Sequence, residues 1–180
     1  MVYVAFLRGV NVVGNSRVEM LRLKKLFESL GFDKVVTYIN SGNVVFAAYD
    51  GSTSQLRMQI EGAIDDEFGF TIPVVVMGLN KLRYINDSIP ISWENNGATK
   101  TDVMFLKDNI NNSNILNKIG VNPNIETLKY CDGALVWNID RNNLSKSKVP
   151  RLINTELYSQ MTIRNINTLR KLMQIAEQIQ

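Results

Sequence analysis

The sequence predicts an α+β fold with antiparallel sheets, on three observations. Short runs rich in β-branched and aromatic residues alternate with amphipathic helical stretches along the chain. Two of the runs are separated only by Asn40–Asn43, which is the spacing of a tight hairpin and makes these neighbouring strands antiparallel. The 180 residues are 45% hydrophobic and 21% charged, a composition typical of a globular protein with one large or two small domains.

The first part of the chain shows the element order β-α-β-β-α-β. The predicted elements are a strand at Val2–Leu7, a helix with Met20, Leu23, Phe27 and Leu30 on one face, hairpin strands at Val35–Ile39 and Val44–Ala48, a helix over about Thr53–Phe68 and a strand at Ile72–Met77. Ser16 and Glu19 fit a capping box for the first helix. Pro73 cannot donate to a ladder, so the last strand is expected at a sheet edge. The order is that of a ferredoxin-like split βαβ unit.

The pattern restarts after a polar stretch. We therefore divide the chain into residues 1–78, a connector over residues 79–100 with a short helix near Leu79–Ile85, and residues 101–180. In the last part we expect strands at Asp102–Leu106, Thr127–Tyr130, Leu135–Ile139 and Met161–Ile163, a short helix at Asn114–Ile119 and a terminal helix capped by Asn165. Helical signal also covers about Ser147–Tyr158, but Pro150 limits that helix to a late start. The prediction is two tandem ferredoxin-like (βαββαβ) subdomains, the second degenerate, with a C-terminal helix.

Composition excludes several classes of chemistry. The chain has no histidine and a single cysteine, Cys131, so Ser-His and Cys-His nucleophile pairs, a typical structural zinc site and an intrachain disulfide are all excluded. We therefore predict no cofactor, no metal site and a cytoplasmic location. No uncharged apolar run approaches the roughly 20 residues that span a bilayer, so no membrane association is expected.

Two aromatic and sulfur positions are predicted to be structural. Trp137 alternates with Leu135 and Ile139 on one strand face, so it is expected in the core. Cys131 is placed in a turn beside Asp132, whose charge opposes formation of a reactive thiolate. Neither residue is expected to carry chemistry.

The segment RGVNVVGNS, residues 8–16, resembles a phosphate-binding loop without being one. It reads G-x-x-x-x-G-N-S, with Asn15 where the motif G-x-x-x-x-G-K-[ST] has the lysine that reaches the phosphates. Phosphate-loop enzymes also need parallel strands, whereas the Asn40–Asn43 hairpin makes neighbours antiparallel. The segment therefore does not indicate a nucleotide triphosphatase.

The same loop still marks a candidate binding edge. In a ferredoxin-like sheet it lies at the same end as the hairpin, and the helix that follows it offers unpaired N–H groups and a partial positive charge. The candidates there are Arg8, Asn11, Ser16, Asn40, Ser41 and Asn43. The alternative is that these residues only permit turn geometry and satisfy loop carbonyls.

The C-terminal part is basic. Residues 141–180 hold seven Lys or Arg against two Asp or Glu, within a chain of net charge +3. The cations that stand out are Lys146, Lys148, Arg151, Arg164, Arg170 and Lys171. They predict either a surface that follows phosphates or a solvated helix face. Arg164 precedes the helix cap Asn165 and could hold an anion there.

Four segments together resemble one family. They are FLRGVNVVGNSRVEM, TYINSGNVVF, LSKSKVPRLI and TIRNINTLRKL, and they are similar to the bacterial domain-of-unknown-function family 1697, whose members begin with an "LLRGINVGG"-like segment. The resemblance implies a small cytosolic α/β protein without an established activity. The motif positions it implies are Arg8, Gly9, Asn11, Gly14, Ser41, Gly42, Asn43, Ser147, Lys148, Thr162, Arg164, Asn165, Asn167 and Thr168. Val13 and Ile166 depart from the pattern, where the family tends to have Gly and Trp.

The leading functional hypothesis is a binding protein for an anionic or polar ligand, either a phosphorylated small molecule or a nucleic acid. The candidate site is the end of the sheet at the loop between the first strand and the first helix, with Lys148, Arg164 and Asn165 supplying further contacts if they come close. One alternative is an enzyme that works without histidine, through Asp, Glu, Lys or Arg. Another is a homo-oligomeric interaction module, such as a homodimer, that uses an open sheet edge.

Overall fold

Two four-stranded antiparallel sheets and a C-terminal helix make up an α+β fold, in a computed structural model that describes residues 1–12, 17–49 and 51–180, apart from the side chain of Asn154. The chain divides into two units. The first comprises Met1–Leu82 with Lys171–Gln180, and the second comprises Arg83–Arg170. The division falls within two helices, α3 (Leu79–Asp87) and α5 (Ile166–Gln178).

The first unit follows the predicted element order. Its elements are β1 (Val2–Leu7), α1 (Met20–Ser29), β2 (Asp33–Tyr38), β3 (Asn43–Ala47), α2 (Thr53–Phe68) and β4 (Val74–Gly78), with strands in the order β2-β3-β1-β4. β1 is central and all six of its residues are buried. β4 lies at the edge, as the missing N–H of Pro73 predicted, and the Pro73 carbonyl accepts the backbone N–H of Arg8 at 2.9 Å.

Apolar periodicity explains why the two helices cover one face of this sheet. Leu23 and Phe27 of α1 and Ile60 of α2 are fully buried in the core together with Phe46 of β3. The Phe27 and Phe46 rings meet edge to face, with centroids 5.4 Å apart. Packing of the two helices on the sheet thereby positions the start of α1 and the end of α2, which lie beside the candidate site.

The ends of the helices show where local sequence signals succeed and fail. α2 begins at a capping box between Ser52 and Gln55 and ends at Gly69, whose φ of 77° is left-handed. The capping box predicted for α1 is wrong, because α1 begins at Met20 and Glu19 is its N-cap residue, without a side-chain cap hydrogen bond. Ser16, the other predicted member, lies outside the described residues.

The second unit repeats the strand arrangement with shorter helical segments. Its elements are the end of α3, β5 (Thr99–Leu106), β6 (Glu126–Cys131), β7 (Ala134–Asp140), α4 (Glu156–Ser159), β8 (Met161–Asn165) and the start of α5, with 3₁₀ helices at Asp108–Ile110, Ser113–Lys118, Arg141–Lys146 and Val149–Asn154. The strand order is β6-β7-β5-β8. Trp137, Leu135 and Ile139 lie in the core of this unit, as predicted.

Three local predictions for this unit need correction. The helical signal over Ser147–Tyr158 becomes a 3₁₀ helix and the one-turn α4, because Pro150 and the side chain of Ser147, which accepts the Val149 N–H at 3.1 Å, compete with a longer helix. The short helix expected at Asn114–Ile119 is the 3₁₀ helix Ser113–Lys118. Cys131 is not in the turn but is the buried last residue of β6.

Candidate functional site

The β1–α1 loop and the β2–β3 hairpin meet at one end of the first sheet. The Leu7 N–H donates to the Gly42 carbonyl at 2.8 Å. The side chain of Asn11 joins the two segments, because its Nδ2 donates to the Asn40 carbonyl at 2.9 Å and to the Val18 carbonyl at 2.7 Å. Its Oδ1 accepts the Val18 N–H at 2.8 Å. Asn11 therefore braces the loop against the hairpin with its whole amide group.

Backbone conformation explains two residue types at this meeting point. Asn11 has a φ of 55°, a left-handed conformation that Asn tolerates better than most residues. Gly42 has a φ of 74°, and a Cβ there would lie 2.6 Å from Val10 Cγ2 and 2.7 Å from Leu7 Cβ. Only glycine fits this close approach.

Asn43 serves the hairpin itself. It is fully buried, and its Nδ2 donates to the Tyr38 carbonyl and to the Ser41 Oγ, both at 3.0 Å. These two contacts close the turn between β2 and β3. The Nδ2 group of Asn43 is therefore used within the hairpin.

A groove of about 740 Å³ opens beside this loop end, at the N-terminus of α1. Its described lining residues are Asn11, Val12, Arg17, Val18, Glu19, Met20, Arg22, Asn40 and Phe68. Of the sequence candidates, it includes Asn11 and Asn40. Arg8, Ser41 and Asn43 are not among the described residues that line it, and Ser16 lies outside the described part of the chain.

The charged side chains of the groove differ in whether they have hydrogen-bond or ion-pair partners. Arg22 pairs through Nε with Glu67 and donates from Nη2 to the Glu67 carbonyl at 2.7 Å, while its guanidinium lies 4.9 Å from the centre of the Phe68 ring. Arg17 and Glu19 are exposed, and neither side chain has a hydrogen-bond or ion-pair partner within residues 1–12, 17–49 and 51–180.

The backbone at the start of α1 adds hydrogen-bond donors to this end of the groove. The first N–H groups of an α-helix have no partner within the helix and carry a partial positive charge. Glu19, the N-cap residue of α1, makes no side-chain cap bond that would satisfy them. The Asn40 amide is also exposed and has no side-chain hydrogen bond within the described residues. Sequence reasoning missed Arg17, because a single exposed arginine in a loop carries no periodic signal.

The three candidates of the second unit lie in different local settings. Asn165 caps α5, since its Oδ1 accepts the Thr168 N–H at 2.9 Å, and this confirms the predicted cap. Arg164 is half-buried on β8, where burial lowers its pKa to about 10, and its Nη1 donates to the Ile163 carbonyl at 2.8 Å. Lys148 is exposed and precedes the 3₁₀ helix Val149–Asn154.

Part of the basic C-terminal sequence has a structural role. Arg141 donates through Nε to the Asn96 carbonyl at 2.6 Å and through Nη2 to the Asn95 Oδ1 at 3.1 Å. Asn167 donates to the Asn95 carbonyl at 2.9 Å, and Arg170 lies 3.4 Å from the Trp93 carbonyl. These side chains bind the segment that leads into β5, so their hydrogen bonds stabilise the second unit from within.

Sequence reasoning also missed a buried carboxylate, Glu126. It is 4% exposed, and it accepts hydrogen bonds from the Trp137 Nε1 at 2.9 Å, from the Asn122 N–H at 2.9 Å and from the Ser147 hydroxyl. Burial raises the pKa of Glu126, but these bonds and one from the Lys148 backbone outweigh burial and hold the pKa below 4.5. Glu126 is therefore ionised at neutral pH and fixes the backbone around Ser147.

None of the described helices is long and apolar enough to cross a membrane. Among the residues that the structure describes, no group of three or more Cys, Asp or Glu side chains is arranged to hold a metal ion.

Comparison with known proteins identifies the family. The chain is similar to the conserved bacterial protein SP0830 from Streptococcus pneumoniae, with 26% identity, a TM-score of 0.83 and coverage of 97% of this chain and 98% of that one. A search of curated proteins finds no match. The family described as "Protein of unknown function (DUF1697)" matches residues 1–137, the greater part of the 180-residue chain. The chain therefore belongs to the DUF1697 family, as the four sequence segments indicated.

Proposed function

We propose that the groove at the N-terminus of α1 binds a small phosphorylated ligand. The observation that carries the proposal is the uncommitted guanidinium of Arg17, which lines the groove beside the start of α1. A guanidinium presents a planar fork of donors that matches phosphate oxygens, and helix N–H groups add further donors to an anion. The exposed amide of Asn40 is a neutral donor on the hairpin side.

The neighbouring carboxylate makes the proposal sharper. Glu19 lines the same groove and, at the N-cap position, competes with a ligand anion for the positive end of the helix. A bound phosphate therefore has to tolerate or displace the Glu19 carboxylate. Glu19→Gln is expected to tighten binding, whereas Arg17→Ala is expected to weaken it.

Thermal stability in the presence of inorganic phosphate and of nucleoside monophosphates tests this proposal. A ligand at 100 times its Kd stabilises the folded state by about 2.7 kcal/mol, which corresponds to a rise in melting temperature of about 5 to 11 °C for a protein of this size. Arg17→Ala should lose that shift, and Lys25→Ala, which removes an exposed cation outside the described lining of the groove, should keep it. No shift with any of these probes, or equal shifts in the two variants, would count against the proposal.

The other sequence candidates remain predictions that the same measurement can test. They are Arg8, Asn11, Ser16, Ser41, Asn43, Lys148, Arg164 and Asn165. Arg8→Ala and Arg164→Ala are the informative variants, because each removes a charge that is close to one of the family motif segments. Loss of the shift in either variant would extend the site beyond the groove.

We also infer that both units are ferredoxin-like and that residues 1–78 and 101–180, joined by the connector at residues 79–100, form the two subdomains. The inference is supported by the strand orders β2-β3-β1-β4 and β6-β7-β5-β8, which place the first strand of each unit between the third and the fourth. It is also supported by two α-helices packed into the core of the first sheet. Expression of residues 1–78 and 101–180 as separate chains, followed by circular dichroism, would test the boundaries.

A further inference from the structure

The segment from Arg141 to Thr155 carries four cations and no carboxylate. Arg141 is committed to Asn95 and Asn96, but Lys146, Lys148 and Arg151 are exposed. The residues between them point inward, since Ser147 is 6% and Val149 is 4% exposed. This part of the chain therefore turns its cations outward and its small and apolar side chains inward.

A buried ion holds this segment in place. The Ser147 hydroxyl donates to the Glu126 carboxylate and accepts the Val149 N–H at 3.1 Å, so the backbone between Lys146 and Lys148 is tied to β6. Burying an ionised carboxylate without a cation at its side is costly unless several donors surround it. The bonds to Glu126 meet that condition, and the backbone that presents the lysines is consequently fixed.

Another exposed cation, Lys118, lies next to the three exposed cations of this segment. Lys118 is exposed at the end of the 3₁₀ helix Ser113–Lys118, two residues before Gly120. A Cβ at Gly120 would lie 3.9 Å from the Cδ of Lys148, so the Lys148 stem passes over this point. Within the described residues Lys118, Lys148 and Arg151 have no ion-pair or hydrogen-bond partner for their charges, and Lys146 has only the Asn143 Oδ1 at 3.4 Å.

We propose that Lys118, Lys146, Lys148 and Arg151 form a basic surface that binds the phosphate backbone of a nucleic acid. Cations that neutralise phosphates release condensed counterions, which drives binding without reading the base sequence. Ser147 has an extended backbone with φ −70° and ψ 145°, so Lys146 and Lys148 leave the chain about 7 Å apart, which lets both ammonium groups contact phosphates of the same strand. Residues 113–120 and 141–155 contain no aromatic side chain that could stack on a base, which matches backbone recognition only.

The observations favour a nucleic acid over a lipid surface. Within the described side chains of residues 141–155, Ile153 is the one exposed large hydrophobic residue. A segment that lies on a membrane needs an apolar face to insert below the headgroups, and one isoleucine does not make such a face. Exposed cations on a backbone that a buried carboxylate holds, with no Asp or Glu within residues 141–155, instead match a polymer of regularly spaced phosphates.

Fluorescence anisotropy with a labelled 12-base-pair DNA duplex, and with one of its single strands, tests the proposal. The wild type is expected to bind at 50 mM KCl, with a plot of log K against log salt whose slope gains about −0.9 per contacting cation on the duplex. The triple variant Lys146→Gln, Lys148→Gln, Arg151→Gln should lose about 2.7 of that slope.

The matched control removes three cations elsewhere: Lys24→Gln, Lys25→Gln and Lys171→Gln. Both triple variants lower the formal net charge from +3 to zero, so an effect of net charge alone would appear equally in both. Binding that survives in the control and is lost in the basic-surface variant supports the proposal. Equal binding by the two variants, no binding by the wild type at 50 mM KCl, or binding only to phosphatidylserine vesicles would overturn it.

Discussion

Replacing Glu126 by glutamine probes the most deeply buried charge of the second unit. Glu126→Gln keeps the shape of the side chain but removes its charge and one acceptor oxygen. In the wild type the two oxygens accept from the Asn122 N–H, from the Trp137 Nε1 and from the Ser147 hydroxyl. In the variant an amide NH₂ faces at least one of these donors, so that donor loses its acceptor.

The expected cost follows from the number of bonds. A hydrogen bond to a charged group contributes about 1.5–3 kcal/mol, and a neutral one about 0.5–1.5 kcal/mol. Loss of charge assistance at three donors, with one donor left unpaired, is partly offset because the neutral amide is less costly to bury. We expect Glu126→Gln to lower the free energy of unfolding at pH 7 by about 2–4 kcal/mol.

The pH dependence of stability provides an independent check. The hydrogen bonds hold the pKa of Glu126 in the folded state below its ordinary value of 4.5. The unfolded chain therefore binds this proton first as the pH falls, so the stabilisation from Glu126 is fully present above pH 4.5 and is lost as the pH drops through the folded-state pKa. Glutamine does not titrate, so the difference between wild type and Glu126→Gln should shrink below pH 4.5.

Urea unfolding at pH 7 and at several pH values below 4.5 measures both effects. Both tryptophans, Trp93 and Trp137, lie in the second unit, so their fluorescence follows its unfolding, while circular dichroism follows the whole chain. Glu156→Gln, at an exposed carboxylate, is the matched control and should stay within about 0.5 kcal/mol of wild type. A loss below 1 kcal/mol at pH 7, or a difference that does not change with acid, would refute the reasoning.

Five further variants address the loop end, helix α2 and the terminal helix, and urea unfolding at pH 7 measures the stability of each. Gly42→Ala combines a left-handed φ with a Cβ 2.6 Å from Val10 Cγ2 and should lower the free energy of unfolding by about 2–4 kcal/mol. Gly62→Ala, at an exposed helical position with open space around the added Cβ, should raise it by about 0.5–1 kcal/mol. A change of the same sign in both variants would contradict the steric argument. Asn11→Ala removes three hydrogen bonds at a φ of 55° and should cost about 2–3 kcal/mol, so a neutral result would mean that the loop end does not depend on this brace. Asn165→Ala should cost about 1 kcal/mol through the lost cap, and Asn165→Ser should recover most of that loss.

The elements that sequence predicted well are those specified by neighbouring residues. β1 spans Val2–Leu7 and α2 spans Thr53–Phe68, both as predicted, because a β-rich apolar run and a helical apolar stripe with a glycine terminator are local signals. The edge position of β4 followed from Pro73 alone. The cap at Asn165 followed from the residue type at a helix start.

The failures of sequence prediction have two physical causes. The start of α1 was placed too early because the Ser16–Glu19 pair matches a capping box by spacing alone, whereas the helix begins after Glu19. The helix expected over Ser147–Tyr158 did not account for Ser147 bonding to Glu126, which is 21 residues away. Arg17 is a groove residue because the fold brings it into one groove with the hairpin residue Asn40. The last two cases depend on a partner that is distant in sequence, whereas the first comes from a short motif that matches by spacing alone.

The sequence by itself determined the order and type of most elements, the absence of histidine chemistry and the family resemblance. These depend on residue type and on spacings of a few residues, which local sterics and hydrophobic periodicity translate directly into strands, helices and turns. Only the tertiary structure decided that Asn11 and Asn43 brace the loop end, that Arg17 and Glu19 line a groove, and that a buried Glu126 holds the backbone between two exposed lysines. The physical reason is that hydrogen bonds and charges act over a few ångströms in space, and the fold brings together residues that are far apart along the chain.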